Sequence, residues 1–225
     1  MQARAIATLL PLLFTGCGPT IHGYPFRESR PAESQQVGET LDPLLRALSL
    51  PSLREITASS DCKIGFAIVR TDKVNVWSAP PTTSPCLYFT LLITEGALKI
   101  PSDQLMATIA HELGHVVLRH TPQSDRPQPS VSAEEWRAIH AQELAADRFA
   151  VDLLKRTRAL YHIGACDAVA RFLRRGIPDW YGITISTRMH EALTQRVESA
   201  DAACASPDVT SLPRVAPTAP SSSVP

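Results

Sequence analysis

The sequence predicts an α+β domain, mostly helical, with a small antiparallel sheet packed against a helix that carries a metal-binding motif. Three observations lead there. Apolar residues recur at helical spacing over 41–56, 104–119 and 134–154. Short β-branched and aromatic runs lie between Lys63 and Thr94. The pentapeptide HELGH falls at 111–115, inside the second helical stretch. The chain has 225 residues, 44% of them hydrophobic, enough for one core and a single domain. Lys plus Arg equals Asp plus Glu at 22 each, so no global field draws in nucleic acid, and function must come from a local site.

Each element follows in order. Arg4 precedes the apolar run Ala5–Phe14, too short to span a bilayer, which reads as the core of an export signal over residues 1–16. The run closes in Leu13-Phe14-Thr15-Gly16-Cys17, similar to a bacterial lipoprotein box with Phe14 where Leu is usual. Acylation of Cys17 would anchor the chain to a membrane surface without a spanning helix. The expected location is the cell envelope, facing the periplasm, with a secreted soluble protein as the alternative. Residues 17–40 are polar and read as a lipidated tether, 41–204 as the folded domain, and 205–225, rich in Pro, Ser and Thr, as a disordered tail.

Within the domain, Leu41, Leu44, Leu45, Leu48 and Leu53 mark a short packing helix. Strands are expected at Lys63–Val69, Val74–Trp77 and Leu87–Thr94, the last two joined by PPTTSP. Ser102 is the expected N-cap of the helix from Gln104 to Arg119. The remaining cysteines, Cys62, Cys86, Cys166 and Cys204, are even in number in a chain that reads as exported, which suggests disulfides. Three pairings are possible; Cys62 with Cys86 and Cys166 with Cys204 are favoured because each pair lies within one half of the chain.

The i, i+4 spacing puts His111 and His115 on one helix face, where both imidazoles can reach one zinc ion, with Glu112 beside them as general base. The cation would acidify a water and polarise a carbonyl, and the carboxylate would move the proton. A third ligand is then required. The metzincin extension is excluded, because Leu118 and Thr121 occupy its Gly and His places. Glu143, on the helix EEWRAIHAQELAADRFAVDLL, can complete a site with two histidines and one glutamate. Asp147, one turn on, can accept a hydrogen bond from the His111 ring. The bland alternative, a solvated acidic patch, is disfavoured by Ala145 and Ala146, which allow close helix approach. Trp77 could line the cleft. His22, His120, His140 and His162 read as structural or exposed.

IAHELGHVVLRH followed by QELAADRFAVDLL resembles the gluzincin metallopeptidases, the zincin-type family of the CAAX prenyl protease, the HtpX and Oma-type stress proteases and their periplasmic quality-control relatives. The resemblance runs from about Ile64 to Val197, taking in VNVWS at 74–78, similar to a strand with an Asn-Ala-Phe signature. It implies that residues 88–98 form an edge strand and turn beside the cleft, holding an extended polypeptide. It also implies that His190 lies over the metal, either stabilising an oxyanion or capping the zinc, and that Arg196 orients the site carboxylates. The match is partial there, since Met189 and Glu191 replace the family's Thr and Pro neighbours. The function implied is a zinc endopeptidase, one zinc per chain, cutting envelope or misfolded proteins. The alternative is a latent or pseudo-enzymatic zinc-binding scaffold or chaperone, for which an intact Glu112 would serve no purpose.

Overall fold

The computed structural model describes residues 20–21, 24–50, 63–79, 87–120, 132–181 and 187–207. Cys17, Cys62 and Cys86, and with them the lipidation site and the first expected disulfide, lie outside the described residues, as do residues 208–225.

The architecture is mixed α+β, as expected, but its first elements begin earlier than the sequence suggested. Of the residues read as tether, 20–21 and 24–40 fold into the domain. After the two-residue strand β1 (Thr20–Ile21), strand β2 (Tyr24–Arg27) joins the sheet, and helix α1 runs from Pro31 to Ala47. The helix therefore starts well before Leu41 and stops before Pro51. A capping box explains the start: Glu33 accepts from the Arg30 N–H at 2.7 Å, and Pro31 occupies the first turn, where its missing N–H costs nothing. Arg27 fixes the junction by pairing with Glu33 at 2.7 Å and Glu95 at 2.8 Å. Val37, Thr40, Leu41, Leu44 and Leu45 make the buried face, so the apolar stripe already begins inside the stretch that looked polar.

Strands β3 (Lys63–Val69), β4 (Val76–Ala79) and β5 (Leu87–Thr94) complete a sheet in the order β1-β2-β3-β5-β4. It is mixed, not antiparallel: β3 and β5 run parallel, from Lys63 beside Leu87 to Val69 beside Thr94. Nor is β5 the edge strand. It is paired on both sides, and β4 forms the edge, with Ser78 opposite Leu91. The connection after β3 accounts for both corrections, because it crosses the end of β5 and deposits β4 on its far side. Thr94 N–H donates to Asn75 O at 3.1 Å, Asn75 N–H to Thr94 Oγ1 at 3.0 Å, and Gly96 N–H to Thr71 O at 3.0 Å. At Gly96 a Cβ would stand 2.2 Å from Asp72 O, so only glycine permits the crossing.

Four further helical segments follow a short 3-10 turn at Ala97–Lys99: α2 (Ser102–Val117), α3 (Ala133–Tyr161), α4 (Ala168–Tyr181) and α5 (Thr187–Ala205). Pro101, not Ser102, holds the N-cap position of α2. Ser132 and Glu135 form a reciprocal capping box that starts α3. One continuous core joins Leu41 and Leu44 of α1, Ile68 and Ile93 of the sheet, Leu105, Ile109 and Leu113 of α2, and Leu153 and Leu154 of α3. Among the described residues no helix is long and apolar enough to cross a membrane.

Candidate metal centre

Helices α2 and α3 can approach closely because Gly114 faces Ala146. A Cβ at Gly114 would lie 3.1 Å from both the Ala146 Cα and carbonyl oxygen. That contact sets the HELGH turn of α2 against the Glu143–Asp147 turn of α3, and four titratable side chains converge. The Nε2 atoms of His111 and His115 are 3.0 Å apart, their rings edge to face. The Glu143 carboxylate bridges them, Oε2 at 3.3 Å from His111 Nε2 and Oε1 at 3.4 Å from His115 Nε2. On the other side of the His111 ring, Asp147 Oδ1 is 2.9 Å from Nδ1; the contact is close but bent away from a straight hydrogen bond. His111, Glu112 and His115 offer ligand atoms within 4.8 Å of one another, a group that could hold a metal ion.

Arg196 of α5 closes the cluster. Its guanidinium makes a two-point pair with Asp147, Nε to Oδ2 at 2.6 Å and a terminal nitrogen to Oδ1 at 3.0 Å, and reaches Glu143 Oε2 at 2.9 Å. Burial disfavours charge on both carboxyls, but the Arg196 and His111 charges outweigh it and hold Glu143 and Asp147 below the usual carboxylate range. Burial likewise opposes a charge on His111, yet Asp147 and Glu143 outweigh it and push the imidazole up to about 10. His115 goes the other way, to about 4, through burial and then the neighbouring His111 charge.

No protein-family model, curated protein or solved structure matches the chain.

Glu112 reaches the edge strand β4. Ser78 donates to the same Glu112 oxygen twice, from its backbone N–H at 2.7 Å and its hydroxyl at 2.9 Å. Burial raises the Glu112 carboxyl above its ordinary range, with His111 and Ser78 opposing. Two partners escaped sequence reasoning. Ser78 sat in the VNVWS strand without a role, and His120, read as structural, has Nδ1 at 3.0 Å from His115 Nδ1.

The fold does not bring His190 to the cluster. It is exposed in the first turn of α5, and its hydrogen bond among the described residues runs through its carbonyl, which accepts from Thr194. His140 is half-buried and pairs with Gln195. Cys166 and Cys204 are joined, the pairing favoured from the sequence, and tie the approach to α4 to the end of α5, the helix that carries Arg196.

Proposed function

We propose that the protein is a zinc-dependent endopeptidase of the gluzincin type, with one zinc held by His111, His115 and Glu143 and with Glu112 as general base. The observation that carries the reading is the position of Glu143, whose two oxygens face the same two Nε2 atoms that face each other. Two imidazole nitrogens at 3.0 Å beside a carboxylate need a cation or a proton between them. Charge supports a divalent ion: once the His111 proton is lost, as ligation requires, Glu112, Glu143 and Asp147 against Arg196 would leave two negative charges in a largely buried cluster. Nitrogen and carboxylate donors together suit zinc.

When bound, zinc would acidify a water and polarise a scissile carbonyl. The rest belongs to the chain. Glu112, its carboxyl raised by burial, accepts the proton of the attacking water and passes it to the leaving amine. Ser78 holds that carboxylate from the edge strand, so a polypeptide pairing along β4 would run past the base. Asp147 orients the His111 ring, and Arg196 keeps both α3 carboxylates ionised. We include in the proposal export and acylation at Cys17, with envelope or misfolded polypeptides as substrates.

A second reading, a zinc-binding scaffold without turnover, is favoured by one observation: His190, which would have served the oxyanion, stands exposed. One experiment separates the two. Protein lacking residues 1–17 is expected to bind one zinc per chain and cleave unfolded casein. Glu112→Gln should keep the zinc and lose at least about 100-fold in cleavage. Full zinc binding with no turnover, unchanged by Glu112→Gln, would establish the scaffold instead.

A further inference from the structure

Helix α2 ends at Val117, and the chain doubles back through Arg119, whose φ of 55° is left-handed. A non-glycine residue there is strained, and such strain persists where the surroundings enforce it, often at functional sites. Its effect here is to return His120 to the helix it has just left. The His120 N–H donates to the His115 carbonyl at 3.0 Å, pinning the backbone over the final turn. The two rings then stand edge to face, centroids 5.0 Å apart and planes at 73°, with Nδ1 facing Nδ1 at 3.0 Å.

Two ring nitrogens at that distance share one proton, so one donates and the other accepts. The far side of the His115 ring decides which. Its Nε2 faces His111 Nε2 and Glu143 Oε1, and a nitrogen that is to hold a cation must present a lone pair there. The His115 proton therefore sits on Nδ1, and His120 accepts it through its own Nδ1, carrying its proton on Nε2. His120 cannot ligate the same ion through Nδ1, because that atom lies behind the His115 ring.

We propose that His120 is a positioning residue: it fixes the tautomer and ring orientation of His115, as Asp147 does for His111. The two supports differ in kind. His111 leans on a carboxylate that is 1% exposed, whereas His115 leans on a neutral, half-buried ring brought by a strained turn. The inference rests on the zinc reading above, since it is the ion that requires the lone pair on Nε2.

The test uses zinc affinity and proton position, both independent of turnover. Zinc affinity, measured against a chromophoric chelator, is expected to fall about 10- to 100-fold in His120→Leu. His120→Asn, which keeps an acceptor near the Nδ1 position, should recover most of the loss. Both variants should unfold in denaturant at the wild-type midpoint when metal-free. In the zinc-loaded wild type, long-range 15N–1H correlation spectra should show His115 protonated on Nδ1 and His120 on Nε2. Unchanged affinity in His120→Leu, or a proton on Nδ1 of His120, would overturn the proposal while leaving the zinc site standing. A wild-type protein that binds no zinc would overturn the zinc reading itself. Should His120→Leu also lower the metal-free midpoint, the tautomer measured in the wild type decides.

Discussion

Asp147 is the most deeply placed charge in the cluster, 1% exposed, and it is tolerable only because Arg196 and His111 flank it. Arg196→Met should therefore destabilise the metal-free protein by about 3 kcal/mol, read from denaturant unfolding, with zinc restoring part of the loss. The pH dependence follows from the same pairs. Glu143 and Asp147 have lowered folded values, so their contribution is present above the ordinary carboxylate range near pH 4 and is lost as pH falls through the lower folded values. His111, raised to about 10, contributes fully below its ordinary value near 6.5, and that contribution is lost as pH rises through about 10. A histidine ligand must be neutral, so a bound zinc would have to displace the His111 proton. Calorimetry at pH 7.5 in buffers of different ionisation enthalpy should show about one proton released per zinc. At this scale the HELGH and ELAAD residues were legible because helical spacing alone puts each set on one face. Ser78 and His120 were not. The first meets Glu112 only through tertiary packing of β4 on α2, and the second only through a left-handed turn that no periodicity announces.

Between elements, the decisive contact is Gly114 against Ala146. The two alanines of ELAAD suggested close helix approach from the sequence; the matching glycine on the other helix supplies the other half of the contact. Gly114→Val should force α2 and α3 apart, costing about 1–3 kcal/mol in denaturant unfolding and weakening zinc affinity, because Glu143 would recede from both histidines. A lowered midpoint with unaltered zinc affinity would show that the site does not depend on this spacing. The sheet was less legible. IGFAIV and LYFTLLIT read as strands, but their near-continuous apolar character is the mark of strands buried on both faces, which favours the parallel, central arrangement of β3 and β5 over an antiparallel meander. Strand order was out of reach, since it depends on the connection at residues 70–75 crossing the end of β5. The start of α1 was hidden for a different reason: Val37 and Thr40 are its only buried residues before Leu41, and the polar residues around them, Glu33, Gln35, Gln36 and Glu39, masked the stripe.

Across the whole molecule, helix α5 is the piece that converts a helix pair into a closed cluster, because it brings Arg196 to both α3 carboxylates. Two devices dock it at its far end. Lys155 donates to the carbonyls of Ala203 and Ser206, and the Cys166–Cys204 disulfide joins its last turn to the approach to α4. The disulfide spans 38 positions, so replacing both cysteines by serine should lower stability by about 2–4 kcal/mol. Reductant should shift the wild-type unfolding midpoint and leave the double variant unmoved. In the proposed site Glu143, and not Glu112, is the carboxylate that would hold the ion. X-ray diffraction from zinc-loaded crystals, with anomalous data at the zinc edge, tests it most directly. One zinc is expected about 2.1 Å from Nε2 of His111, Nε2 of His115 and a Glu143 oxygen, with Glu112 outside bonding distance. Zinc bound by Glu112 in place of Glu143, or no anomalous signal between α2 and α3, would contradict it.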